Sequence, residues 1–197
     1  MSHFFWKLKS IIYQFRKIPG ISRIINSENR AIKTLLSLMN IEAIESVVDL
    51  GSGRGNCLSF CNKNIHRVIA IDSCFPMLKR TRPYFSDVMF INSDVMDLPV
   101  KPGSIDLVFC VGLSEYIENF EVLLGNIKNI VSPSGYIILT TSPKNIFSYL
   151  RYLLGNNLYV RNNALIIKGL KKNNLEIINK TKTLMQTQYL LKNVQPR

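Results

Sequence analysis

The sequence is poor in histidine, with only His3 and His66, and poor in cysteine, with four and no C-x-x-C pair. That scarcity argues against a structural zinc site and against a disulfide framework. Cys57 and Cys61 are four apart, while Cys74 and Cys110 stand alone. They read as small buried hydrophobes in a reducing compartment, and no metal site is expected. No apolar run approaches the roughly 18 residues that suggest a membrane span. The opening MSHFFWKLKS makes a poor signal peptide, because Lys7, Lys9, Arg16 and Lys17 interrupt any hydrophobic region. The expected location is therefore cytoplasmic. There are no internal repeats, no long linker and no Gly-Lys-Ser/Thr of the kind that grips a nucleoside triphosphate.

Acidic residues are the last scarcity: 13 against 25 Lys and Arg, a net charge of +12. The excess is segregated. Residues 1–34 hold seven basic residues and one acid, +6; residues 35–143 hold eight and eleven, −3; residues 144–197 hold ten and one, +9. A composition rich in Ile, Asn and Lys raises lysine everywhere and does not explain the segregation. Basic flanks around an acidic centre suit an anionic partner.

What remains is an ordinary globular chain of 197 residues, 47% hydrophobic and 19% charged, enough for one well-buried domain. Apolar runs alternate with helical stretches. SVVDL (46–50), RVIAID (67–72), VMFINSD (88–94), IDLVFCV (105–111) and YIILTT (136–141) read as strands. Near the end come LEIINKT and QYLLKNV, two further strand-like runs. Between them the pattern predicts a helix from the glycine turn to about Cys61, one near Pro76–Arg82, one over 119–131 and one ending near Asn173–Asn174. Ser132–Gly135 reads as a turn. Ser27 is placed to N-cap a helix running to about Met39. Upstream, Phe4, Phe5, Leu8, Ile11, Ile12 and Phe15 share one face of an amphipathic helix. Strand–helix alternation at this period predicts βαβ units and a mostly parallel sheet, with ligands bound beyond the carboxyl ends of its strands.

One of those ends carries VVDLGSGRGN, residues 47–56. Gly51, Gly53 and Gly55 admit φ > 0 and remove the Cβ, so backbone N–H groups can approach a ligand. A following helix would add partial positive charge at its N-terminus. The spacing is D-x-G-x-G-x-G from Asp49, not the dinucleotide pattern, which would need glycine where Asn56 stands.

This turn resembles that of the class I S-adenosylmethionine-dependent methyltransferases, and the resemblance continues in order over about residues 44–142. Asp72 stands 21 residues after Gly51, where the family places an acid on the ribose. Residues 93–119, SDVMDLPVKPGSIDLVFCVGLSEYIEN, resemble the third and fourth motifs of the ubiquinone/menaquinone-biosynthesis type. The resemblance implies a Rossmann-like α/β fold, a seven-stranded mostly parallel sheet with helices on both faces. It implies a single domain: N-terminal helices or lid (1–43), cofactor-binding core (44–142), substrate-side insertion and last strands (143–197). It implies S-adenosylmethionine as cofactor and S-adenosylhomocysteine as product. Asp49, Gly51, Ser52, Gly53 and Gly55 fall at the methionine end, Asp72 and Ser73 at the ribose, Asp94 and Val95 at the adenine, with Cys110 also against the cofactor. Asp106 braces loops and Asp97 caps a turn.

Many relatives carry histidines after the fourth strand. Here CVGLSEYIEN has Gly112 and Tyr116 at those places, so no histidine base is evident. Glu115 and Tyr116 are the nearest polar candidates for catalysis. Tyr149, Arg151, Tyr152, Tyr159 and Arg161 either line an acceptor pocket or belong to a packing helix. The acceptor expected is a small or lipid-like molecule with an anionic group. The first helix is either a lid or a contact with an anionic membrane surface, which would make the protein peripheral. An RNA methyltransferase is disfavoured by the lack of an RNA-binding module and of an N-P-P-Y-like tetrapeptide. A non-catalytic cofactor-binding or scaffold protein is the other alternative. The expected assembly is monomer or homodimer.

Overall fold

The computed structural model of the chain describes residues 19–62, 64–145 and 158–194. The amphipathic segment from Phe4 to Lys17, and Tyr149, Arg151 and Tyr152, lie outside the described residues. Seven strands form one sheet: β1 (Ser46–Leu50), β2 (Arg67–Ile71), β3 (Val88–Ile91), β4 (Ile105–Cys110), β5 (Val131–Thr141), β6 (Leu175–Lys182) and β7 (Thr187–Asn193). Their order is β3-β2-β1-β4-β5-β7-β6. Only β7 is reversed, pairing antiparallel with β5 and β6. The expected mostly parallel seven-stranded sheet is what the chain builds.

The helices are α1 (Pro19–Leu36), α2 (Phe75–Thr81), α3 (Phe120–Ile130) and α4 (Asn163–Lys172). Side chains alternate across the sheet, as a period of two requires. Val47, Leu107, Phe109, Ile138 and Leu190 pack with Ile32, Leu35 and Leu36 of α1 on one face. Val48, Val108, Ile137, Leu139 and Leu191 pack with Leu123, Ile127, Ile166 and Leu170 of α3 and α4 on the other. Coverage on both faces explains why β1 is buried throughout and reads as a continuous apolar run. Among the described residues, no helix is long and apolar enough to cross a membrane.

Three local expectations fail. Ser27 caps nothing, because it lies within α1. That helix ends at Leu36, where Leu38 and Met39 donate to carbonyls three residues back and tighten the chain. After the glycine turn there is only a four-residue 3-10 helix, Cys57–Phe60. Gly53 and Gly55 hold left-handed φ values of 50° and 71°, and Cys61 is already extended, so too few residues remain for an α-helix. The Ser132–Gly135 turn is present, but as an irregularity inside β5, where Ser134 takes φ 65°.

At the amino ends of the strands Asp106 acts as a brace. Its Oδ2 accepts from Ser46 N–H (3.0 Å), Ser46 Oγ (2.7 Å) and Glu45 N–H (3.2 Å), and its Oδ1 from Ser132 Oγ (3.0 Å). His66 lies here too, beside a shallow polar cleft of about 430 Å³ lined also by Arg67, Ser104 and Asp106. This is the opposite end of the sheet from the glycine turn.

Candidate functional site

The chain runs from β1 outward to β2 and β3, then crosses to β4 and β5, so the topological switch lies between β1 and β4. The carboxyl ends of β1, β2 and β4 meet there. The turn after β1 is tied to the end of β2: Gly51 N–H and Ser52 N–H both donate to the Ile71 carbonyl, at 2.8 and 3.1 Å. Gly55 N–H donates to the Ser52 carbonyl (2.7 Å).

The three glycines do different work. A Cβ on Gly51 would lie 2.9 Å from Leu113 Cδ1, and one on Gly55 would lie 2.9 Å from each of Leu58, Phe85 and Thr81. At Gly53 the nearest atom to an added Cβ is the Met77 methyl, 3.7 Å away. Gly51 and Gly55 make room for protein; the space over Gly53 stays open. Gly53 itself is held firmly, its N–H donating to Asp72 Oδ2 (2.8 Å) and its carbonyl accepting from Thr81 Oγ1 (2.8 Å).

Asp72 closes β2. Its Oδ1 accepts from Cys74 N–H (2.7 Å), and its backbone carbonyl from Asn92 Nδ2 (2.8 Å). Burial raises its carboxyl pKa, against the pull of the two backbone bonds. Asp49, 3% exposed, is raised further, first by burial and then by the charge of Asp72, with the Cys57 thiol opposing. Asp49 Oδ2 and Ser52 Oγ are buried without a hydrogen-bond partner. Orphaned buried acceptors beside an open backbone cradle are what a bound polar ligand would satisfy.

The raised carboxyls set a pH dependence. An acid whose folded pKa lies above its unfolded value leaves the protein most stable below the unfolded value, and that stability is lost as pH rises through the folded one. The ligand-free protein is expected to lose stability as pH rises from 3.8 through the raised values of Asp49 and Asp72. Asp49→Asn should flatten part of that slope in thermal melts across pH. An identical slope in parent and variant would contradict the strain assigned to Asp49.

The loop after β4 supplies the other wall. Gly112 takes φ 67°, and its N–H donates to Thr140 Oγ1 (2.7 Å). Ser114 Oγ donates to the Thr140 carbonyl (2.5 Å). Glu115 and Tyr116 lie in a 3-10 turn, 1% and 3% exposed. Both are packed into the fold, not displayed on an open cleft. Cys110 is wholly enclosed in the core, and burial pushes its thiol pKa up. Ser73 is exposed at the end of β2. Beyond β3, Asp94 is exposed, with Oδ1 accepting from Met96 N–H (2.9 Å), while Val95 is buried in the core. The Val95 and Met96 carbonyls accept from Asn126 Nδ2, at 3.1 and 2.9 Å, which fixes this turn. Asp97 donates its N–H to the Asp94 carbonyl and closes the turn.

Sequence reasoning missed Thr81, Asn92 and Thr140, which hold the backbone of the site. Polar residues at strand and helix ends were their only signal. Arg161 is held by backbone in the described structure. Its guanidinium donates to the carbonyls of Ser114, Tyr159, Ile117 and Glu118.

Residues 48–139 match the family described as a methyltransferase domain. A malonyl-[acyl-carrier protein] O-methyltransferase of Hamiltonella defensa is 26% identical over 95 residues, 48% of this chain and 37% of that one. A trans-aconitate 2-methyltransferase of Escherichia coli is 25% identical over 111 residues, 55% and 44% of the two chains. The matched segment thus spans about two fifths of these curated relatives. Among solved structures, magnesium protoporphyrin IX methyltransferase of Synechocystis PCC 6803, with bound S-adenosylhomocysteine, superposes with a TM-score of 0.70 at 17% identity, over 94% of this chain and 99% of that one. The methyltransferase in a complex with the Haloferax volcanii Trm112 activator gives 0.75 at 19% identity, over 89% and 96%. At such identities the likeness establishes the fold. Residues 48–139 thus match a methyltransferase domain, and the chain has the fold of the class I S-adenosylmethionine-dependent methyltransferases, with the glycine turn and Asp72 at the switch point.

Proposed function

We propose that the protein transfers a methyl group from S-adenosylmethionine to a small or lipid-like acceptor that carries an acidic group. The observation that carries the cofactor reading is the open space over Gly53, flanked by the unpartnered Asp49 Oδ2 and Ser52 Oγ. Gly51, Ser52, Gly53 and Asp49 would hold the methionine end. Asp72 and Ser73 would meet the ribose, and Asp94 and Val95 the adenine. A bound sulfonium supplies an electrophilic methyl carbon, so the chain's task is to align the acceptor and exclude water.

Three observations favour an acidic acceptor. The relatives named above act, by their names, on a malonyl group and on trans-aconitate, both acids. A carboxylate is ionised near neutral pH and needs no general base. Among the described residues the one histidine, His66, stands at the far end of the sheet. The basic flanks agree with an anionic ligand. Glu115 and Tyr116 stay the candidates nearest the acceptor side, and their burial suits shaping the site better than proton transfer.

The test uses methyl-labelled cofactor with separated acidic small-molecule, lipid and RNA fractions. Label is expected in an acidic or lipid fraction as an ester released by mild alkali. Label in RNA alone would overturn the acceptor reading, and cofactor binding without label in any fraction would favour a non-catalytic protein.

For residues 1–18 we propose contact with an anionic membrane surface. An aromatic-rich apolar face with Phe4, Phe5 and Phe15, and Lys7, Lys9, Arg16 and Lys17 elsewhere around the helix, suits that interface. Binding to vesicles of phosphatidylserine is expected, weakened by salt because exposed charges are screened within about 8 Å at physiological ionic strength. Deleting residues 1–18 should remove it. Equal binding to neutral and anionic vesicles, or to neither, would contradict it.

A further inference from the structure

The segment Tyr159–Arg161 reaches back across the carboxyl end of the sheet to the loop after β4. Arg161 Nη1 donates to the Ser114 carbonyl (2.9 Å) and the Tyr159 carbonyl (3.0 Å). Its Nη2 donates to the Ile117 carbonyl and the Glu118 carbonyl, the latter at 3.0 Å. Tyr159 N–H donates to the Glu115 carbonyl (2.7 Å). The guanidinium carbon also sits 4.7 Å from the centroid of the Phe120 ring and 5.9 Å from that of Tyr159. Residues 159–161 thus take up the carbonyls of Ser114, Glu115, Ile117 and Glu118. A planar fork with five N–H donors can serve several carbonyls at once; a lysine ammonium, a compact charge on a flexible stem, cannot reproduce that span.

The loop so held is part of the cofactor site. Leu113 lies against Gly51, close enough that a Cβ there would meet its Cδ1 at 2.9 Å. Ser114 and Gly112 anchor the loop to Thr140. Arg161 and Tyr159 hold its distal half to the segment after β5.

We propose that Arg161 is a positioning residue, which clamps the loop of residues 113–118 against the glycine turn and so sets the fit of the cofactor pocket. The effect on ligand affinity rests on the methyltransferase reading; the clamp does not. Burial lowers the Arg161 guanidinium pKa and Glu115 opposes that shift, but an arginine stays charged in a protein.

The experiment compares the full chain with Arg161→Met and Arg161→Lys, by amide hydrogen exchange and by calorimetric titration with S-adenosylhomocysteine. In Arg161→Met, exchange across residues 113–118 should speed up by about tenfold or more while β1 and β4 stay protected. Affinity for S-adenosylhomocysteine should fall about tenfold as the loop loses its fixed position, about 1.4 kcal/mol. Arg161→Lys should recover only part of both. Unchanged exchange in the loop, an equal rise throughout the sheet, or full recovery with lysine would overturn the clamp. Faster loop exchange with parental affinity would overturn the coupling to the pocket. If the parent binds no S-adenosylhomocysteine, the methyltransferase reading fails, and the exchange data still decide the clamp. Should Arg161→Met fail to fold, Arg161→Lys carries the same comparison.

Discussion

Gly53→Val is expected to abolish binding of S-adenosylhomocysteine and leave the fold standing, whereas Gly55→Ala is expected to damage the fold. The two glycines differ by two positions and share left-handed φ values of 50° and 71°. Either substitution carries the left-handed penalty of about 1–2 kcal/mol, and more for a β-branched residue. Beyond that they diverge. The valine enters space where an added Cβ finds only the Met77 methyl at 3.7 Å and the Gly51 carbonyl oxygen at 3.8 Å. It fills the cradle and little else. The alanine at 55 is driven to 2.9 Å from Leu58, Phe85 and Thr81 together, and overpacking of that kind costs about 1–3 kcal/mol more. Circular dichroism and thermal melts report the fold, and calorimetry reports the ligand. Parental affinity in Gly53→Val would remove the cradle from the site.

Asp72→Ala is expected to lower the melting temperature and to weaken S-adenosylhomocysteine binding by about tenfold or more. The carboxylate receives Gly53 N–H on one oxygen and Cys74 N–H on the other, at 2.8 and 2.7 Å. Hydrogen bonds to a charged group contribute about 1.5–3 kcal/mol each, so the side chain holds the turn as well as any ligand. Asp72→Asn separates the roles only partly, because its amide would point a donor at one of those N–H groups. Both variants should bind more weakly than the parent. If either binds S-adenosylhomocysteine as the parent does, Asp72 belongs to the turn alone.

The strands were legible because burial on both faces leaves runs such as IDLVFCV with no polar alternation to confuse them. The glycine turn was legible as a place, not as a division of labour. Nothing in G-S-G-R-G says that its outer glycines face protein and the middle one faces open space; Leu113, Leu58, Phe85 and Thr81 decide that, and three of the four lie beyond the local turn. The helix drawn through Cys61 failed for a local reason, since two left-handed glycines and an extended Cys61 leave one short turn. That correction removes the helix-terminus charge from the site and leaves Gly53, Asp49 and Ser52 as its polar floor. The hold of Arg161 on the loop after β4 was beyond sequence reasoning, because its partners there are backbone carbonyls more than 40 residues away that any residue type could offer.

The central claim is that this switch point binds S-adenosylmethionine. Calorimetric titration of the full chain with S-adenosylhomocysteine, with a nicotinamide dinucleotide as control, tests it most directly. The account predicts saturable binding of S-adenosylhomocysteine at one site per chain, lost in Gly53→Val, and no heat with the dinucleotide. No binding of S-adenosylhomocysteine by the folded protein, or a preference for the dinucleotide, would contradict it.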